Sequence, residues 1–199
     1  MIYEINAGKN NDTKFRIPDI FTGKFKKTWK VSLSPECWYP QELGYNQINK
    51  LVGVTEFWSA NNKNSVMVGW EPCYLPETEI LEKYPHCKNL INPIEDLKYF
   101  NIYWYTNDKD GGHEAILWTV IPDWRIADME IEMKRDDKMI FSYLRTIQFD
   151  PAEKEFHGRY KTIENPTTYV ITLKSFLREI FIWFGGTRKA PHKMRFKVD

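Results

Sequence analysis

The sequence predicts a mainly β protein, an antiparallel β-sandwich with few short helices, and three observations carry that expectation. Apolar and polar residues alternate with a period of two through most of the chain, the pattern of strands with one face in a core and one in water. Turn signals recur between the alternating runs, as at Asn61-Asn62-Lys63-Asn64 and Asp110-Gly111-Gly112. Aromatic residues make up 16% of the chain, with eight Trp and eleven Tyr, beyond what a core of this size is expected to need. Such rings favour strands and binding surfaces alike.

The elements follow in order. Trp29 to Leu33 alternates cleanly, and Ser34-Pro35 with the cluster from Cys37 to Pro40 ends it, because proline removes a ladder donor. Ser65 to Trp70 reads as a strand entered from the Asn-rich turn, where Asn tolerates left-handed backbone. Residues 77–84 form the best helix candidate of the first half. Tyr99 to Tyr105 and Glu114 to Val120 form a hairpin across residues 107–112, whose glycines supply the positive φ of a tight reversal. A second hairpin joins Ala127 to Lys134 with Lys138 to Phe149. Further strands are expected at residues 168–174 and 194–198, while residues 176–184 suit either a buried strand or a short helix. With no internal repeat, low-complexity tract or linker, residues 1–199 are expected to form a single domain.

Charge and cysteine content narrow the function classes. Lys and Arg total 28 against 27 Asp and Glu, a net charge of +1, so no single-signed field is expected to draw in nucleic acid or anionic lipid. Cys37, Cys73 and Cys87 cannot all pair and form no CxxC spacing, which leaves free buried thiols as the expectation. The start, Met1-Ile2-Tyr3-Glu4-Ile5-Asn6, has no basic region followed by an apolar stretch, and no segment reaches the ~20 apolar residues of a membrane-spanning helix. No membrane insertion is expected. Synthesis in the cytoplasm or a place in a virion follows, with secretion after trimming of a leader left open.

Two stretches, Gln47 to Gly53 with Asn64 to Trp70, and Trp183 to His192, resemble jelly-roll β-sandwiches of the concanavalin A-like kind. The resemblance implies two packed sheets, first and last strands that lie near each other, and a face open to a ligand that is often a carbohydrate. It implies no catalytic residue. Phe184-Gly185-Gly186 would end a buried segment in a tight turn, and Ala190-Pro191 would set an extended entry to the last strand.

Three groups of residues are candidates for chemistry. Asp128, Glu130 and Glu132 alternate with Met129 and Ile131, which places three carboxylates on one strand face. Such a row resembles the acids of glycan hydrolases, where two carboxylates act as nucleophile and general acid; the first position here is Asp, and the competing reading is the wet face of an antiparallel strand. Asp108 and Asp110, with Asn107, offer oxygen ligands to Ca²⁺, although Leu117 stands where an EF-hand loop would close with Glu. A plain hairpin turn is the favoured reading, because Asp-Gly marks hairpins without any metal.

The third group is aromatic. Trp38, Tyr39, Trp58 and Tyr74 fall in or near predicted loops, where rings can stack on sugar faces or form satellite cores beneath the loops. The four histidines show no metal-ligand spacing, no serine lies in a nucleophile elbow, and Gly185-Gly186 lacks the Lys-Ser/Thr of a phosphate loop. The leading expectation is a non-catalytic binding or structural sandwich whose partner is a carbohydrate or a protein subunit, the latter as an oligomer or an assembly component of a virion or cell surface. A glycoside hydrolase or lyase using the strand carboxylates is the alternative.

Overall fold

A computed structural model describes residues 1–11, 17–40, 48–59, 63–74, 98–110, 112–122, 127–136, 139–148, 159–163, 176–180, 182–184 and 189–199. In chain order the strands are β1 (Ile2–Ile5), β2 (Ile20–Thr22), β3 (Phe25–Leu33), β4 (Asn49–Glu56), β5 (Ser65–Tyr74), β6 (Lys98–Asn107), β7 (His113–Pro122), β8 (Ala127–Asp136), β9 (Met139–Gln148), β10 (Arg159–Ile163), β11 (Phe176–Ile180) and β12 (Met194–Val198). They form two six-stranded sheets, ordered β1-β12-β3-β8-β9-β10 and β2-β11-β4-β5-β6-β7, and every described pairing is antiparallel. We refer to them as the first and second sheets. Among the described residues no helix is long and apolar enough to cross a membrane.

Alternation explains the core. Trp29, Val31 and Leu33 of β3 and Met129, Ile131 and Met133 of β8 point inward from the first sheet, and Val66, Val68 and Trp70 of β5 with Phe100, Ile102 and Trp104 of β6 point inward from the second. The sheets touch through large rings: Trp70 lies 5.8 Å from Phe196, and Phe21 stacks on Phe25 at 4.6 Å. A gap of about 10 Å between packed sheets accommodates such rings. The tryptophan count therefore serves the core more than the composition suggested, since Trp29, Trp38, Trp70 and Trp104 are all buried. A polar tie joins the layers where Trp29 Nε1 donates to Glu179 Oε1 at 2.5 Å.

Both predicted hairpins form, as β6–β7 and β8–β9. Residues 176–180 are a strand, and β12 covers the expected final strand. The strand expected to stop at Trp70 continues through Pro72 to Tyr74. Its pairing with β4 ends at Asn49 opposite Trp70, so Pro72 lies where β6 alone is the partner and a missing donor is tolerated. The helix expected at residues 77–84 and the strand expected at 168–174 lie outside the described residues.

At Gly112 the β6–β7 turn is built differently from the expectation, and Gly111 lies outside the described residues. Gly112 has no positive φ; among the described residues Gly8, Gly23 and Asn64 do, the last at 46°. The turn is closed by Asp108, whose Oδ1 accepts from the Asp110 and Gly112 amides at 2.8 Å each. Glycine is needed at 112 for room: a Cβ there would stand 2.5 Å from Asp108 Oδ2.

Candidate functional site on the outer face of the second sheet

Paired residues in a sheet project to the same side, so the register defines what the second sheet presents away from the core. One outward row runs Trp183, Lys50, Gly69, Tyr103. On one side of it lies the row Ile180, Gly53, Met67, Tyr105, and on the other the pair Glu71 and Asn101. A further row carries Ile20, Arg178, Thr55, Ser65, Asn107 and His113. Residues from positions 20 to 183 are thereby gathered on one face, much of which is covered: Thr55, Ser65, Met67 and Ile180 are buried, whereas Lys50, Tyr103, Tyr105 and Arg178 are half-buried and Trp183 is partly exposed.

The chemistry of this surface is concentrated beside the Trp183 row. Glu71 Oε1 accepts from Tyr103 OH and, at 3.2 Å, from Asn101 Nδ2. The Asn101 amide also donates to Tyr103 OH, and its oxygen accepts from the Cys73 thiol at 3.2 Å. Glu71 and Asn101 are buried, while Tyr103, Tyr105, Lys50 and Cys73 are half-buried. A network of this kind holds its members in fixed orientation.

Burial pushes the Tyr103 phenol well above its ordinary range, and the Glu71 carboxylate that accepts its proton adds to the shift. Burial also raises Tyr105 and lowers Lys50. The Lys50 ammonium sits 5.5 Å over the Tyr105 ring, and His113 stacks on that ring from β7 at 5.9 Å.

Two glycines shape the floor. A Cβ on Gly69 would stand 2.2 Å from Ile48 Cγ2, so the Ile48 methyl occupies that position. A Cβ on Gly53 would meet Val66 O at 2.3 Å. Trp183, 39% exposed, flanks the row through a mutual backbone exchange with Lys50 at 2.8 and 3.0 Å. Its neighbours Ile182 and Phe184 point into the core, which is why the intervening ring faces out.

The predicted site residues are dispersed. Trp38 and Tyr39 are buried in the inter-sheet core: Lys98 lies 4.5 Å over the Trp38 ring, and Tyr39 packs on Trp70 and Phe184 while its hydroxyl accepts from Asn49 at 2.8 Å. The short turn at Pro35–Cys37 after β3 directs both rings inward. Trp58 is 86% exposed in the turn after β4, next to Ser59, whose carbonyl accepts from Arg178 of the outward rows. Tyr74 ends β5, and its side chain lies outside the described part of the structure.

The carboxylates lie on the opposite side of the molecule. Glu130 and Glu132 project from the outer face of the first sheet, in register with Lys30 and Thr28, and Asp128 stands in register with Ser32 on the same strand. Glu130 also stands opposite Arg145, and Glu132 pairs with Lys26 at 2.9 Å. The side chain of Asp128 lies outside the described part. Asp108 and Asp110 are exposed in the β6–β7 turn, where Asp108 serves the backbone, and among the described residues no group of three His, Cys, Asp or Glu is gathered.

Sequence reasoning missed Lys50, Glu71, Asn101, Tyr103 and Tyr105 as a group, because their common position depends on two strand pairings, β4 with β5 and β5 with β6. A usable signal was present for Trp183: an aromatic between two residues whose alternation marks them as core.

No family model matches the chain, and no curated protein matches it in sequence. Among solved structures it is similar to a functionally unknown protein from Saccharomyces cerevisiae, at 8% identity and a TM-score of 0.44, over 100% of this chain and 86% of that one.

Proposed function

We propose that this chain is a carbohydrate-binding β-sandwich of the concanavalin A-like, jelly-roll kind, and that it binds glycan on the outer face of the second sheet. The observation that carries the reading is the exposed Trp183 ring set in one register row with Lys50 and Tyr103, beside the Glu71–Asn101–Tyr103 network. A sugar needs an apolar platform for its C–H face and oriented donors and acceptors for its hydroxyls. Trp183 supplies the first, and the network supplies the second without reorganisation. Trp58 borders the same face beside Arg178. The pairing of β1 with β12 agrees with the jelly-roll arrangement.

A glycan-array screen of the purified protein tests this reading. Binding to a defined set of glycans is expected, reduced about tenfold or more by Trp183→Ala and by Tyr103→Phe, each removing a contact worth about 1–3 kcal/mol. Absence of binding to every glycan, or binding that both variants leave unchanged, overturns it.

Assembly is the second reading, favoured by exposed Ile17, Ile20, Phe176 and Trp58, of which Ile20 lies on the edge strand β2 and Phe176 on its neighbour β11. An array without hits from a protein that sedimentation shows to be oligomeric supports it. Release of reducing ends from a bound polysaccharide, abolished by Glu130→Gln or Glu132→Gln, would instead make the protein a hydrolase.

A further inference from the structure

The second sheet ends in β2, which pairs with β11 alone among the described strands. The Glu179 amide donates to the Asp19 carbonyl at 2.9 Å, which makes Asp19 and Glu179 a hydrogen-bonded pair of the ladder. Two residues on, Phe21 and Leu177 form the next such pair, so the main-chain groups of Ile20 and Thr22 point away from β11. Their N–H and C=O groups line an open edge, a template for another strand.

Proteins ordinarily guard such edges with charge. Of the strands that end the two sheets, β1 carries Glu4, β7 carries Glu114, and β10 carries Arg159 and Lys161. β2, with Ile20, Phe21 and Thr22, carries none. It also leaves apolar surface uncovered on both faces. Ile20 is 55% exposed on the outer face, diagonal to Phe176 at 54%, while Phe21, stacked on Phe25, is only half-buried on the core face. After Thr22 the chain turns at Gly23, whose φ is 64°, and departs for β3 in the other sheet, so an added strand meets only the length of β2.

We propose that β2 pairs with β2 of a second copy of this chain, antiparallel about a twofold axis beside Phe21, and joins the two second sheets into one. Ile20 then exchanges both main-chain bonds with Thr22 of the second copy, and Thr22 does so with its Ile20, an isologous contact. The edge is self-complementary. The β-branched Ile20 and Thr22 stand opposite each other, the two Ile20 side chains meet on the diagonal with a Phe176 beside each, and the two Phe21 rings meet on the core face. Asp19 falls opposite Gly23 of the second copy, so no like charges oppose each other. The inference rests on the assembly reading and adds the strand and the partner. Because β2 is short, the interface is small and the dimer weak.

Sedimentation at loading concentrations from about 1 to 500 µM, the range in which a small interface associates, tests this. The mass is expected to rise from monomer towards dimer. Hydrogen exchange resolved to single amides locates the contact: exchange at Ile20 and Thr22 should slow in step with the dimer fraction. Ile20→Lys sets two lysines on the diagonal, and Thr22→Pro removes an outward N–H without touching the β11 ladder; each should weaken dimerisation about tenfold or more. Melting curves identify a variant that fails to fold. Trp58→Ser, at the exposed turn after β4 and off the β2 edge, should leave dimerisation unchanged.

A monomer at every concentration would overturn the proposal and the assembly reading together. A dimer whose Ile20 and Thr22 amides exchange unslowed, or that both β2 variants leave intact, would overturn the β2 contact and leave assembly standing. A monomer that floats with phosphatidylcholine vesicles, and loses this with Trp58→Ser, would overturn the proposal by assigning the exposed apolar corner to lipid.

Discussion

At the scale of single residues, environment divides groups of the same type. Cys37 is buried after β3, with its thiol donating to the Arg195 carbonyl at 3.2 Å, and burial pushes its pKa up to about 12. The nucleophile in alkylation is the thiolate, so native protein treated with iodoacetamide at pH 8.5 should leave Cys37 unmodified, and unfolding in urea should expose it to full labelling. Peptide mapping by mass spectrometry checks this. Labelling of Cys37 in the native protein at the rate of a free thiol would contradict its burial. The sequence identified the cysteines as free buried thiols, which holds for Cys37, whereas Cys73 is only half-buried. The same limit applies to the aromatics: Trp38 and Trp58 look alike in sequence, both near turns, yet one is buried over the core and the other is 86% exposed. What separates them is the direction in which the chain leaves the preceding strand, which composition does not encode.

Within elements, strand identity was legible because alternation is local. The hairpins β6–β7 and β8–β9 lie where the period-two pattern places them, and β5 passed its expected end only because Pro72 has no β4 partner opposite it. Turn chemistry was read less well. Positive φ was expected of the β6–β7 glycines; at Gly112, the one of the two that is described, the requirement is space beside the Asp108 carboxylate, which closes the turn. Asp108→Ala should therefore destabilise the protein by about 1–2 kcal/mol through the loss of the two hydrogen bonds that the carboxylate accepts from backbone amides. Gly112→Ala should cost a similar amount in the parent, since its methyl displaces that carboxylate, and markedly less in the Asp108→Ala background. Urea unfolding of the four proteins in a double-mutant cycle measures this coupling. Full additivity would show that the turn does not rest on the carboxylate.

At the scale of the whole molecule, the two sheets are joined by large rings and by the bond from Trp29 of β3 to Glu179 of β11. Glu179 Oε2 also accepts from the Asp19 amide at 3.4 Å, so the carboxylate anchors the entry to β2 as well. Trp29→Phe removes the indole donor and leaves a buried carboxylate oxygen short of a partner, so a loss of about 2–4 kcal/mol is expected by urea unfolding at pH 7. A loss below 1 kcal/mol would mean that apolar packing alone holds the layers together. By itself the sequence determined the β class, most strand positions, the two hairpins and the two faces of the strand through Asp128 to Glu132, because a period of two is written into every few residues. The tertiary structure decided that Lys50, Glu71, Asn101, Tyr103 and Trp183 share one surface while the acids of β8 occupy the opposite one. That choice depends on register between strands far apart in the chain, and a slip of one residue would have turned each set to the other face.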